Sequence, residues 1–427
     1  MTLQRRSLLL SAALVPLCLA AAGAGAADKP EKLTIVSHAV HKKVSTEGQG
    51  GDVTAAWTKE TGLPLEWLTF GVEETNERAF REASLSNGNV DVAFILDRFG
   101  GPQIASLFED LGAWQAKEPI EDFDEISAGM RQAHTHNGKL IAIPFRHATH
   151  GLLYNEALLE ERGLDGPPET FEQLLEYAEK LTYTRDDGTK VHGIVISMDD
   201  PSSISDWIRA FGGDFITSDY QVVVNEPAAV KAITALRDLA QKEVLPKNVT
   251  SFKTEDVTTY MQQGRAAMTN NPFGRYVNYN DPKASKFPGA FKVVPIPMAE
   301  GLKGPHPSKT SVWAMAIPSN APNKELSWSL IRHLSSKEST VEEALNGNGP
   351  VRLSAYQDPR VRELVPYADQ EAAALANARL VVPGFSDTGK AMDILMEEVE
   401  AVMVGAKEPQ EAMDEAKARV LPLLPKS

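Results

Sequence analysis

The residues with chemistry to offer stand where apolar runs end. Ser37 and His38 follow a run over 32–37, Asp97 and Arg98 follow Val90-Asp91-Val92-Ala93-Phe94-Ile95, and Arg146 and His147 follow Ile143-Pro144-Phe145. Asn270, Asn271 and Phe273 come just after a run ending at Met268. An open α/β sheet exposes side chains at its strand ends, so these groups suit non-covalent capture of a polar molecule. Covalent chemistry has less to work with. Hydrolysis of a glycosidic bond needs two carboxylates facing it, and Asp97 with Asp214 is the pair on offer, neither in a nucleophile-like motif. The chain contains no Gly-x-Ser-x-Gly, His-Glu-x-x-His or P-loop, so no enzyme activity and no cofactor is expected. His38-x-x-His41, His134-x-His136 and His147-x-x-His150 lack the helical i, i+4 spacing and an acidic partner in register, so no metal site is expected either.

These residues need a frame. The run 90–95 is nearly all apolar, as a strand covered on both faces must be, and strands over 32–37, 63–70, 139–145, 191–196, 292–296 and 312–317 alternate with helical patterns. A helix over 53–61 closes at Gly62, and another spans 75–85. Thr170 followed three residues later by Gln173 is a capping box opening a helix to about 181. Helices near Trp207, from 225, over 326–334 and over 388–404 and 408–420 complete an α/β pattern with a sheet expected to be parallel. No internal repeat is visible.

The chain has 427 residues, 42% of them hydrophobic, enough for two cores. Its start is a separate object: Arg5 and Arg6, an apolar run to Ala22, then Ala24-Gly25-Ala26 ahead of polar residues. This reads as a cleaved export signal over 1–26, with the paired arginines resembling the twin-arginine type, and implies a periplasmic location. The only cysteine, Cys18, lies inside that leader, so the mature chain has no thiol chemistry and no disulfide. Losing Arg5 and Arg6 takes the formal charge from −15 to −17. Such an acidic chain disfavours nucleic acid and anionic membrane as partners, and a monomer is expected.

The order of short motifs carries a resemblance. Asn89-Val90-Asp91-Val92-Ala93-Phe94, Asp97-Arg98-Phe99-Gly100-Gly101, Asn137-Gly138-Lys139-Leu140-Ile141-Ala142-Ile143-Pro144 with Leu153-Tyr154-Asn155, Pro167-Pro168-Glu169-Thr170-Phe171, Phe211-Gly212-Gly213-Asp214, Gly264-Arg265-Ala266-Ala267-Met268 and Val294-Pro295-Ile296-Pro297 follow one another in turn. Together they resemble the extracellular solute-binding proteins of bacterial sugar importers, the maltose-binding-protein type, over almost the whole mature chain. The resemblance implies a two-lobed, type II periplasmic-binding-protein-like α/β fold with a ligand cleft between the lobes. Lobe one would hold 28–144 and 297–335, and lobe two 148–294 and 338–427. It implies a small carbohydrate or sugar-like solute as ligand, hinge closure as mechanism, and the membrane permease subunits of an ABC transporter as partner.

A sugar presents hydroxyls and weakly apolar ring faces, so its site needs charge-assisted hydrogen-bond partners and flat surfaces. By resemblance Ser37, His38, Asp97, Arg98, Arg146, His147, Gly213, Asp214, Asn270, Asn271 and Phe273 line the cleft, with Arg352 reaching in from lobe two. Trp207 either supplies a stacking surface or packs a helix, and Trp313 is either a cleft contact or core. Ser202 and Ser203 stand where the family type has aromatics, which argues against long maltodextrins. Convergence of Arg98, Arg146, Arg275 and Arg352 would suit an anionic solute such as a glycerophosphate or acidic sugar. A secreted glycan hydrolase, and a sensor that presents its bound ligand to a receptor, are the other readings.

Overall fold

The computed structural model describes residues 30–199 and 201–425. The expected leader, Cys18 and Asp200 lie outside the described residues. Among the described residues no helix is long and apolar enough to cross a membrane.

Two five-stranded sheets organise the chain. The first runs in the order Leu65–Phe70, Leu33–His38, Val92–Leu96, Val312–Ala316, Ile143–His147. Its first three strands are parallel, whereas Val312–Ala316 is antiparallel to both neighbours, so the sheet is mixed and not purely parallel. The apolar run 92–96 is buried at every position. Alternation sends Phe94 into one core with Leu33, Ile35, Phe145 and Trp328, and Ala93 and Ile95 into another with Val36, Ala79 and Ile141.

The second sheet runs Phe291–Val294, His150–Asn155, Ala266–Pro272, Lys190–Ile194, Tyr183–Thr184, and it too is mixed. Its core is the largest, drawing in Trp207, Phe171, Leu236 and Leu395. The helix Phe171–Lys180 starts as its sequence signals: the Thr170 hydroxyl accepts from Gln173 N at 3.1 Å. The other half of the box is displaced by one residue, since the Gln173 side chain accepts from Glu169 N. The helix Ala55–Thr61 closes on Gly62 at φ 65°, a conformation glycine adopts without strain.

Three segments pass between the sheets side by side. Ile143–His147 of the first sheet runs directly into His150–Asn155 of the second. Ala148 exchanges backbone hydrogen bonds with Ser311, and His150 N donates to Lys309 O at 2.9 Å. The stretch 308–310 then pairs with Arg379, whose N–H donates to Ser308 O and whose carbonyl accepts from Thr310 N.

The C-terminal third divides its packing. Asn346 bonds Gly50 N, Val44 O and Gly51 O, and Leu345 packs with Val361, both away from the second core. Tyr367 and Ala374 already reach the second core, and from Val381 the chain stays in it, where Thr388–Met403 and Pro409–Val420 pack on Pro227–Gln241 and on each other.

Candidate functional site

Adjoining cavities open between the elements of the two sheets. The smallest, about 60 Å³, is walled by Asp97 and Arg98 from one side and by Pro201, Ser202 and Thr388 from the other, with Lys309, Thr310 and Ser311 of a crossing segment beneath. A wider one continues outward past Glu73, Phe99, Asp199 and Met396, sharing Arg98 and Pro201 with the first. A third, of about 190 Å³, lies beyond Val382 and Gly384 and is lined by His136, Asp214, Tyr220 and Arg379.

Asp97 is placed by the end of its strand, and its Oδ1 accepts from Val312 N at 2.7 Å. Burial raises its pKa to about 6, against the pull of that hydrogen bond and of Lys309 and Arg98. Arg98 lies across the Phe99 ring and pairs with Glu73 at 2.8 Å. Asp214 lines a different cavity and is held between Arg209 at 3.3 Å and Arg379 at 3.2 Å. The two carboxylates a hydrolase would pair therefore do not share a cavity.

A second group gathers at the same sheet end. The His38 ring stacks on Trp313, centroids 6.1 Å apart, and His41 meets Trp313 edge-on at 4.7 Å. His38 also caps the following helix, its Nδ1 accepting from Val40 N. Burial and the positive charge of Arg146 lower the His38 pKa. Arg146 donates to Asn348 Oδ1 at 3.2 Å and Gly347 O at 3.4 Å. Trp313 is half-buried, so it is neither free surface nor closed core.

Several expected contacts are spent elsewhere. Arg352 has no exposed surface, and its guanidinium donates to the carbonyls of Ser335, Glu121 and Asp122. It ties a loop and lies apart from the cavities, so the expected cleft role does not fit. The four arginines do not all converge: Arg98 is on Glu73, Arg146 on Asn348 and Arg352 on carbonyls, and only Arg275 lies near enough to Arg146 for their charges to act on each other. Trp207 packs edge-on to Phe171 and donates to Asn270 Oδ1, which settles it as a core residue. Asn270 is closed off by that bond and by its own donation to Ser203 O and Asp206. Asn271 bonds Thr269, and Phe273 is fully buried against the bare face of Gly151, where an added Cβ would lie 2.7 Å from the ring. Ser37 is buried and bonds the His38 carbonyl. His147 sits between Thr149 and Tyr356, and burial with the Arg146 charge takes its pKa down to about 3. Gly213 makes a tight turn against Ala229, where a Cβ would lie 2.9 Å from the backbone nitrogen.

Sequence reading missed Lys309, Met392 and Arg379 as cavity residues, and marked Ser202 only as a replaced aromatic. The polar Lys309-Thr310-Ser311 ahead of an apolar strand was the available signal, of the same kind as Asp97-Arg98 after one. Among the described residues no group of three or more His, Cys, Asp or Glu is suited to a metal ion.

The sequence model of the bacterial extracellular solute-binding protein family matches residues 50–341, more than half of the chain. A probable ABC transporter-binding protein of Deinococcus radiodurans is 26% identical over 334 residues, covering 75% of this chain and 77% of its own. Among solved structures, an ABC transporter solute-binding protein from Agrobacterium radiobacter K84 in complex with ribitol superposes with a TM-score of 0.75 at 26% identity, over 93% of this chain and 100% of that one. Maltose-bound MalE3 of T. maritima gives the same TM-score, 0.75, at 24% identity over 92% and 100%, and carries the likeness of fold, a two-lobed type II α/β architecture. With two sheets joined by three adjacent crossings and cavities opening between them, this chain belongs to the bacterial extracellular solute-binding protein family.

Proposed function

We propose that this protein is the exported solute-binding component of an ABC importer and that it encloses a small polyol or sugar between two lobes. The observation that carries the reading is the cavity walled by Asp97 and Arg98 on one side and Pro201, Ser202 and Thr388 on the other, with crossing strands as its floor. A solute there touches both lobes only when they are closed, so its binding energy shifts an open–closed equilibrium toward the closed form. The closed form is the one the permease subunits would recognise, and opening would release the solute unchanged. The ribitol complex of a relative with the same fold supports a polyol-sized guest.

The lobes we propose follow the sheets. The first holds the described part of the expected 28–144 and, of the expected 297–335, only the chain from the crossing at 308 onward, because 297–307 packs on the second lobe through Met298 O with Phe171 N, Ala299 N with Ala210 O and His306 with Asp206 O. The second holds the expected 148–294, that 297–307 stretch and the chain from Val381, and the intervening 337–364 rests on the first lobe's side through Asn346 and Arg352. Export by the leader over 1–26 places the mature protein in the periplasm.

Isothermal calorimetry with four- to six-carbon polyols, aldoses and ketoses tests the function. Saturable binding of at least one, with a smaller radius of gyration on binding and no new product by mass spectrometry, is the expected result. Turnover of a bound compound, or no binding across the panel, would refute it.

A further inference from the structure

Lys309 is the one lysine on the floor of the 60 Å³ cavity, and it is only 7% exposed. Its backbone is held from both sides: the N–H donates to Asp206 Oδ1 at 2.7 Å, and the carbonyl accepts from His150 N at 2.9 Å. The side chain is held differently. Among the described residues no hydrogen bond or ion pair engages the ammonium, and its charge is felt by the Asp97 carboxylate across the cavity. The residue is largely buried, yet its ammonium is not among the sealed, partnerless atoms and keeps access to the cavity, at a position where an apolar residue would preserve the same backbone pairing.

The opposite wall is complementary. Asp97 uses Oδ1 on Val312 N, which leaves Oδ2 as an acceptor, and Ser311 also lines the cavity. One cation and one anion make the pair neutral, and the volume admits only a few heavy atoms. An anionic group placed there would meet the Asp97 carboxylate as well as the ammonium, whereas two adjacent hydroxyls satisfy both, one donating to Asp97 and one accepting from Lys309.

We propose that Lys309 is a specificity-determining binding residue, and that with Asp97 it holds the two oxygens of a vicinal diol on a neutral polyol or sugar. This rests on the polyol reading above and goes beyond it in naming the residue and the functional group recognised.

The test uses the full mature chain with Lys309→Met and Lys309→Gln. The probes are the neutral polyols and sugars of the calorimetric panel, the monodeoxy analogues of whichever binds best, and the phosphate ester of the same compound. We expect both variants to bind the best probe roughly 10- to 100-fold more weakly than the parent. One monodeoxy analogue should lose a similar factor on the parent protein and lose nothing further on Lys309→Met. Thermal unfolding of the unliganded variants checks the fold, and Lys309→Gln serves if Lys309→Met does not fold. Equal affinity of parent and variants for a bound polyol would overturn the role of Lys309 while leaving the polyol reading intact. A loss confined to the phosphate ester would overturn the diol assignment in favour of charge recognition. Failure of every neutral probe to bind the parent would overturn both.

Discussion

Asp206 and Arg209 stand one turn apart on the helix Ser202–Ala210, and between them they hold all three segments that cross from one sheet to the other. Asp206 accepts from His150 Nδ1 at 2.7 Å and Lys309 N at 2.7 Å. Arg209 donates to the carbonyls of Pro307, Arg379, Leu380 and Val381. Residues at i and i+3 share a helix face, so one short helix faces the whole hinge with a fixed pattern of charge. The same helix begins at Ser202, which walls the smallest cavity.

Replacing Arg209 with Met should therefore be severe. The variant strips the donors from several buried carbonyls and leaves Asp214 with the Arg379 ion pair and the Phe215 N–H. A loss of about 3–5 kcal/mol is expected from urea denaturation at neutral pH. An unchanged midpoint and slope would mean that the crossing segments hold their own arrangement.

Glu371 sets a pH dependence. Burial raises its pKa to about 8, against the hydrogen bond with Tyr356 and the charge of Arg146. A carboxyl whose folded pKa lies above its unfolded value contributes stability fully below the unfolded pKa and loses it as pH rises through the folded one. The wild type should thus lose roughly 2–5 kcal/mol between pH 4 and 9 from this group. Glu371→Gln removes the titration, so its stability relative to wild type should climb over that range. A constant difference in denaturant midpoint from pH 5 to pH 9 would contradict the assignment.

Arg98 and Asp97 should separate binding from folding. Arg98 makes an ion pair with an exposed Glu73, so Arg98→Ala should change stability by less than about 1 kcal/mol. It should weaken solute binding by about 1–3 kcal/mol. Asp97→Ala also leaves the buried Val312 N–H without its acceptor and should cost about 1–3 kcal/mol of stability in addition. Calorimetry beside thermal melts reads both quantities, and full affinity in Arg98→Ala would remove that side chain from the site.

Gly349 packs against the first crossing strand. A Cβ there would lie 2.6 Å from the His147 carbonyl oxygen, which is backbone and cannot swing aside. Gly349→Ala should cost about 1–3 kcal/mol in chemical denaturation. A neutral result would show that the crossing strand yields easily at this point.

Local pattern carried much of the frame. The nearly all-apolar run 90–95 read as a strand covered on both faces and is one over 92–96, and Thr170 with Gln173 read as the opening of the helix that starts there. Asp97 and Arg98 were readable as cavity residues because a charged pair directly after such a strand has to emerge at the sheet edge. The direction of Val312–Ala316, antiparallel between two distant strands, was not readable, since period and composition are the same for either orientation.

What a polar side chain does once placed was decided by residues far away in the chain. Arg352 is consumed by the carbonyls of Glu121 and Asp122, and Asn270 by Trp207 and Asp206. Lys309 is buried because residues 148–150 and Arg379 flank its strand. The sequence by itself determined the main strands and the longer amphipathic helices, because burial on one or two faces leaves a local period in residue type, but not shorter helices such as Ala39–Thr46, Thr254–Gln262 and Lys337–Leu345. Only the tertiary structure decided which hydrogen-bonding groups remain free for a guest, because that depends on which donors and acceptors the fold brings within 3 Å or so of each other.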